Sequence, residues 1–125
     1  MALWRACGLV TRYNDPHADF RFARAGTGSE VLVAADAAGR LVGSVMVGHD
    51  GHRGWLYYVA VDPGLRTRGI GRALVGAAEA WLCRRGVRKA QLMVRRSNIG
   101  VVAFYDRLGF EEAEVVVMQR RLDRT

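Results

Sequence analysis

At 125 residues the chain is long enough for one domain with a hydrophobic core, and half of its residues are hydrophobic. Polar residues or glycines interrupt every apolar run, so no segment is predicted to span a membrane, and the N-terminus lacks a signal-peptide pattern. The two cysteines favour neither a disulfide framework nor a zinc site. We therefore expect a single cytoplasmic domain, residues 1–125, with free thiols and no metal.

The net charge of +7 is concentrated in one part of the chain. Residues 62–96 contain nine cations and two anions, whereas the remaining residues hold ten of each sign. A basic segment of this kind favours a polyanionic ligand, and both a phosphorylated cofactor and a nucleic acid have the required charge. A solvated basic face without any ligand is the alternative interpretation.

The first elements are predicted to be two helices. Residues 2–8 have the pattern of a helix end, with Gly8 as its stop. A second helix is predicted over residues 16–24, with Asn14 or Asp15 as its cap. Three side chains are candidates for its inward face: Phe20, and either Phe22 or Ala23.

Three strands are predicted next, over residues 31–35, 40–49 and 54–61. They are rich in valine and aromatic residues, and the Asp50-Gly51 dipeptide between the second and third is a strong hairpin signal. The strands should therefore form an antiparallel meander.

After the meander the predicted order is helix, strand, helix, strand. Residues at helical spacing mark the buried face of the first of these helices, which Gly86 ends: Ile70, Leu74, Ala77, Ala78, Trp81 and Leu82. A strand near residues 89–94, a helix over 98–108 and a final strand over 114–121 follow. The predicted fold class is α+β, with a mixed, mostly antiparallel central sheet flanked by helices.

The segment that joins the third strand to the next helix carries the most informative chemistry. It reads VAVDPGLRTRGIGR over residues 59–72. Glycine tolerates positive φ and a helix start has unpaired N–H groups, so the segment predicts an anion cradle suited to phosphate. A P-loop would need a Gly-Lys-Ser/Thr sequence, which is absent. A dinucleotide fold would need a parallel βαβ unit, whereas the strand before this segment belongs to the predicted antiparallel meander. The remaining pattern, Arg/Gln-x-x-Gly-x-Gly/Ala, is met by Arg66, Gly69 and Gly71.

With this pattern, the sequence resembles the GNAT superfamily of acetyl-CoA-dependent N-acetyltransferases, in particular its small bacterial YpeA-like branch. Three segments carry the resemblance in family order: residues 59–63, residues 66–71, and Asn98 with 103–105 and 108–110. The resemblance covers residues 30–122, and the usual first strand of the family is missing.

The resemblance implies that acetyl-CoA is the cofactor and acetyl donor. Backbone N–H groups of the loop would bind its pyrophosphate, and a bulged third strand would pair with its pantetheine and polarise the thioester carbonyl. Asn98 matches a position that contacts the cofactor, although it could equally be only a helix cap. The implied cofactor-binding residues are Val59, Ala60, Val61, Arg66, Thr67, Arg68, Gly69, Ile70, Gly71, Arg72 and Asn98.

Tyr105 matches the family's general acid, which protonates the departing thiolate. A core or surface aromatic is the alternative interpretation of this residue. The position that holds a basic Glu in some relatives is Met93 here, so no general base is implied. Local candidates for a base are a water held by strand backbone and five side chains: His49, Asp50, His52, Tyr57 and Tyr58.

The leading functional prediction is direct attack by a primary amine of a small molecule or protein on acetyl-CoA. The alternative is a catalytically weak or inactive GNAT-like acyl-CoA-binding module with a sensing or regulatory role. A nucleic-acid binder is disfavoured because the chain lacks an aromatic stacking platform and a recognition helix. The strand over residues 31–35 would have an unpaired edge, so we expect either that a second copy covers it in a homodimer or that the protein is marginally soluble.

Overall fold

A computed structural model describes residues 2–7, 9, 15–66 and 68–123, and the chain divides into two compact units, Met1–Met93 and Val94–Thr125. The single domain expected from chain length stays a prediction. The first unit contains, in chain order, helices α1 (Ala2–Ala6) and α2 (Pro16–Ala25), strands β1 (Ser29–Ala35), β2 (Leu41–His49) and β3 (Gly54–Val61), a 3-10 turn (Pro63–Leu65), helix α3 (Ile70–Arg84) and strand β4 (Ala90–Leu92).

The four strands form one sheet in the order β1-β2-β3-β4. The first three strands pair antiparallel, and β3 pairs parallel with β4. This confirms the predicted meander and the mixed, mostly antiparallel sheet. β1 lies at the edge, where the carboxylate of Glu30 accepts a hydrogen bond from the N–H of Val31 at 3.0 Å. The homodimer expected from this edge stays a prediction.

Helix α3 lies close against one face of the sheet because two glycines leave room for it. A Cβ on Gly43 would stand 2.7 Å from Leu74, and a Cβ on Gly54 would stand 2.5 Å from Leu82. The buried side chains of the helix are Leu74, Val75, Ala78, Trp81 and Leu82. The prediction that Ala77 is buried was wrong: it is exposed, because the face that meets the sheet includes Val75 instead.

The opposite face of the sheet receives α1. Side chains alternate between the two faces of a strand, and Ser44, next to Gly43 on β2, accepts a hydrogen bond from the Trp4 indole at 2.8 Å. Asp15 precedes helix α2, and its carboxylate caps the helix by accepting from the N–H groups of His17 and Ala18. Asn14 and Gly8, the other predicted cap and stop, lie outside the described residues. Of the two alternatives for the inward face, Ala23 is buried and Phe22 is exposed.

The second unit contains helix α4 (Ile99–Arg107). The helix is followed by Gly109 at a φ of 92°. Residues 110–123 form neither helix nor strand, so the strand predicted over residues 114–121 was wrong. Strand propensity describes how well a side chain fits a half-buried pleated surface. Here the side chains of residues 115–118 are 59–89% exposed and have no such surface.

No helix in the described parts of the chain is long and apolar enough to cross a membrane.

Candidate active site

Strand β3 has an open backbone edge in its second half. Its parallel pairing with β4 covers only Gly54, Trp55 and Leu56. Its antiparallel pairing with β2 continues to Val61 on the other side. Within the described residues, the segment from residue 57 to residue 61 therefore has a sheet partner on one side only. An extended ligand with amide groups can add to such an edge as though it were a strand.

A β-bulge interrupts β3 at the start of this open edge. Met46 faces Tyr57 and Ser44 faces Ala60, so Tyr58 and Val59 together oppose a single residue of β2. Tyr58 has a φ of 51°. The bulge implied by the family resemblance is thus confirmed.

The backbone of Val61 faces away from β2. Asp62 donates its N–H to the carbonyl of Val42 at 2.8 Å. Because amide directions alternate along an antiparallel strand, the preceding residue presents its backbone groups to the open edge. The carbonyl of Val61 accepts a hydrogen bond from the Cys7 thiol at 3.1 Å. The N–H of Val61 therefore faces the open edge, whereas its carbonyl is already bonded to Cys7 there.

The chain turns directly after β3 and leads into α3. The carboxylate of Asp62 accepts from the N–H of Gly64 at 2.9 Å and closes the 3-10 turn. Gly69 then occupies the N-cap position of α3 with a φ of 79°, a left-handed conformation that glycine adopts without steric cost. Its missing side chain leaves open space, since an added Cβ would meet no atom within 4 Å.

The start of α3 has the properties of an anion site. Gly69 has no side chain with which to cap the helix, so the first N–H groups of α3 receive no bond from an N-cap side chain. The helix dipole places positive partial charge at this end. Arg66, Arg68 and Arg72 are exposed around it, and no described residue forms an ion pair with any of them. Thr67 lies outside the described residues. The arrangement suits a bound pyrophosphate.

The other two predicted site residues lie in the second unit. The side chain of Asn98 accepts from the N–H of Val101 at 3.4 Å, which confirms its role as the cap of α4. Tyr105 is 8% exposed, and the rings of Phe104 and Phe110 contact it edge-on at 5.0 and 5.6 Å. Burial raises the pKa of Tyr105 to about 12. The phenol is therefore protonated at neutral pH, as a proton donor must be, and it is a weaker acid than an exposed tyrosine.

The predicted local bases differ in their surroundings. The carboxylate of Asp50 accepts from the N–H groups of Arg53 and His52 at 2.8 Å, and these bonds hold its pKa below the usual range. Burial raises the pKa of Tyr57, with a smaller contribution from the charge of Asp50. Both shifts weaken these groups as bases at neutral pH, because a stronger acid has a weaker conjugate base and a neutral phenol cannot accept the proton.

The remaining base candidates lie in the hairpin between β2 and β3 or in the contacts of the bulge. His49 accepts a hydrogen bond from the N–H of Gly51, and His52 is exposed in the same hairpin. Tyr58 donates its hydroxyl to Asp19 at 2.6 Å. The described residues contain no group of three or more His, Cys, Asp or Glu side chains that could hold a metal.

Sequence reasoning missed three residues that contact the bulge: Trp4, Asp19 and Ser44. Each has an unremarkable local pattern, as a helix residue or a strand residue. No signal in the sequence joins positions that are 40 and 39 residues apart.

Comparison with known protein families matches residues 2–110 to the acetyltransferase (GNAT) family. An acetyltransferase of Pectobacterium atrosepticum is 38% identical over 122 residues, which cover 98% of this chain and 86% of that protein. An uncharacterized N-acetyltransferase of Yersinia pestis is 38% identical over 120 residues, which cover 96% of this chain and 84% of that protein.

Solved structures share the fold. AAC(6′)-Iy, in complex with the bisubstrate analog CoA-S-monomethyl-acetylneamine, matches with a TM-score of 0.80 and 22% identity over 97% of this chain and 90% of that one. A Bacillus anthracis chain in complex with acetyl coenzyme A matches with a TM-score of 0.68 and 18% identity over 72% of this chain and 51% of that one. The family match and the curated relatives establish the family and the activity as well as the fold. This chain belongs to the acetyltransferase (GNAT) family and is an N-acetyltransferase.

Proposed function

We propose that this protein transfers the acetyl group of acetyl-CoA to a primary amine of a small molecule or protein, and that the chain acts as one cytoplasmic GNAT domain. The observation that carries the proposal is the continuity of the open β3 edge with the uncapped start of α3. An extended amide chain that ends in a pyrophosphate has the right chemistry for both parts. Solved neighbours of the same fold contain acetyl coenzyme A or an analog that includes CoA.

In this proposal the two parts of the site have separate tasks. The pyrophosphate is bound by backbone N–H groups, those of Arg68, Gly69, Ile70, Gly71 and Arg72. The guanidinium groups of Arg66, Arg68 and Arg72 stabilise its charge. The pantetheine pairs with the backbone of Val59, Ala60 and Val61. Asn98 is proposed to contact the cofactor in addition to capping its helix.

The chemical step that we propose is direct acyl transfer. The amine nitrogen forms a bond to the acetyl carbon, the bond from that carbon to sulfur breaks, and the electron pair stays on the CoA thiolate. The phenol of Tyr105 protonates this thiolate, and the phenolate that is left takes a proton back from solvent. Water takes the proton released by the amine, since Met93 cannot accept one. A backbone N–H at the β3 bulge stabilises the developing oxyanion.

A second candidate function is a non-catalytic acyl-CoA sensor. Met93 in the position of a base favours it, together with the lowered pKa of Asp50. Free-thiol release with a broad panel of primary amines separates the two functions. Acetyl-CoA-dependent thiol release with any amine would exclude the sensor, whereas saturable binding without transfer across the panel would favour it.

Ligand-dependent thermal unfolding tests the cofactor site. Acetyl-CoA at a hundred times its dissociation constant should stabilise the protein by about 2.7 kcal/mol, or roughly 10 °C in Tm. Gly69→Val should weaken this stabilisation because a β-branched residue cannot keep the left-handed backbone at the start of α3. Gly76→Val is the matched control, since Gly76 is exposed on the same helix and has open space around it. An unchanged Tm of the wild type at millimolar acetyl-CoA would refute the proposal.

A further inference from the structure

The backbone of Tyr58 has a conformation that needs support. Its φ of 51° is left-handed, whereas the other positive φ angles in the described residues belong to glycines. For a residue with a Cβ this conformation costs about 1–2 kcal/mol. Such a residue keeps it only where the surrounding contacts hold it.

The side chain of Tyr58 is held from α1 and α2. The Trp4 indole of α1 stacks on its ring with centroids 4.0 Å apart and an angle of 9° between the planes. Its hydroxyl donates to the carboxylate of Asp19 on α2 at 2.6 Å, a length typical of a hydroxyl bonded to an ionised acceptor.

The backbone of Tyr58 is held from β2. Its carbonyl accepts a hydrogen bond from the Ser44 hydroxyl at 3.4 Å, and that hydroxyl accepts one from the Trp4 indole at 2.8 Å. Trp4 and Ser44 are each 4% exposed, so their polar groups would be left unsatisfied if the network opened. We call Trp4, Asp19, Ser44 and Tyr58 the bulge clamp.

The bulge clamp acts at the start of the open β3 edge. Helix α1 leads on to Cys7, whose thiol bonds the carbonyl of Val61 at 3.1 Å. This part of the chain therefore supports both ends of the segment from Tyr58 to Val61. The proposed function places the acyl-pantetheine along the same segment.

We infer that Tyr58 is a positioning residue for acetyl transfer: the bulge clamp fixes its left-handed backbone and thereby the direction of those peptide groups between residues 59 and 61 that face the open edge, where the thioester is proposed to lie. The inference rests on the proposed function. Positioning of this kind matters because hydrogen-bond donors stabilise an oxyanion only when they are aimed at it beforehand. The phenol of Tyr58 holds the backbone conformation of the bulge and does not itself donate or accept a proton in acetyl transfer.

Tyr58→Phe is the first variant, because it removes the bond to Asp19 and keeps the aromatic ring for stacking. The variant should weaken the binding of acetyl-CoA more than the binding of CoA, which lacks the acetyl group. We expect the affinity for acetyl-CoA to fall by about threefold to tenfold, the value of one ordinary hydrogen bond. The affinity for CoA should change by less than about twofold, because its pyrophosphate binds at α3. Isothermal titration calorimetry with each ligand measures this ratio, and an equal loss for both ligands would overturn the inference.

Variants of Asp19 test whether this residue acts by accepting the hydrogen bond of the Tyr58 phenol or through its negative charge. The amide oxygen in Asp19→Asn can still accept the phenol, so this variant should keep most of the acetyl-CoA preference. Asp19→Ala should match Tyr58→Phe, and the double variant should lose no more than either single one, because all three break the same bond. Additive losses, or a full loss in Asp19→Asn, would contradict the bulge clamp.

Hydrogen exchange in the ligand-free protein distinguishes failure of the bulge clamp from failure of the proposed function. Tyr58→Phe should accelerate amide exchange of Ala60, which pairs with Ser44 of β2 beside the bulge, whereas Tyr57→Phe should not, since that tyrosine is 41% exposed and outside the bulge clamp. A wild type that binds neither ligand would refute the proposed function and, with it, the role in acetyl transfer. Equal exchange in the wild type and both variants would refute the bulge clamp even if acetyl-CoA binds.

Discussion

Gly69 and Gly76 provide a paired test of the turn that begins α3. Neither position has any atom within 4 Å of an added Cβ, so alanine meets no steric obstacle at either one. The two differ in backbone, because Gly69 has a φ of 79° and Gly76 lies inside the helix. Gly69→Ala should therefore destabilise the protein by about 1–2 kcal/mol. Gly76→Ala should stabilise it by about 0.5–1 kcal/mol, the helix preference for alanine.

Urea unfolding of the ligand-free variants measures both values. With an m-value of about 2 kcal/mol/M, Gly69→Ala should lower the midpoint by roughly 0.5–1 M and Gly76→Ala should raise it by a few tenths of a molar. The m-values should stay equal, since neither change alters the surface exposed on unfolding. Stabilisation by both substitutions would show that Gly69 is not left-handed in solution, and the glycine argument for the cradle would then be wrong.

Five further results are expected. Ser44→Ala should cost about 1–3 kcal/mol in urea unfolding, because it leaves the buried Trp4 indole without its acceptor, and a loss below 0.5 kcal/mol would contradict that bond. Asp15→Ala should cost about 1 kcal/mol by the same assay, as expected for an N-cap, whereas an unchanged midpoint would exclude capping. Gly43→Ala should cost about 1–3 kcal/mol, because its Cβ would overlap Leu74 of α3, and a neutral result would mean that the helix can shift freely. Tyr105→Phe should lower turnover in the thiol-release assay with little change in acetyl-CoA affinity, and unchanged turnover would remove this residue from the mechanism. The pKa of the Tyr105 phenol, about 12 when folded, exceeds the value near 10 of an unfolded tyrosine, so its burial stabilises the fold below pH 10. This contribution, about 2–3 kcal/mol, should disappear as the pH rises from 10 through 12. Phenolate absorbance measures the titration, and Tyr105→Phe identifies the part that belongs to Tyr105. If that part titrates near pH 10 in the wild type, the raised pKa is contradicted.

Local patterns in the sequence were sufficient for the meander and for the start of α3. Strand β3 has the bounds that the valine and aromatic run predicted, Gly54–Val61. Gly69 is left-handed at the helix start. Glycine adopts this conformation without steric cost and most other residues do not, so its position in the sequence was enough to predict it. The anion cradle was thus predicted from short-range chemistry and the bulge of β3 from the family resemblance, whereas the open edge depends on how far β4 pairs with β3.

Tertiary structure decided what depends on distant partners. Helical spacing permitted Ala77 on the buried face, but the position of the sheet under α3 selected Val75. The valines at 115–117 have strand propensity, yet no strand forms there, because a strand exists only where another backbone pairs with it. The bulge clamp joins a helix residue, Trp4, to a strand residue, Ser44, across 40 positions. A contact of that separation has no local signal, so the sequence by itself located strand β3 and the turn before α3, while tertiary packing decided what holds the bulged strand in shape.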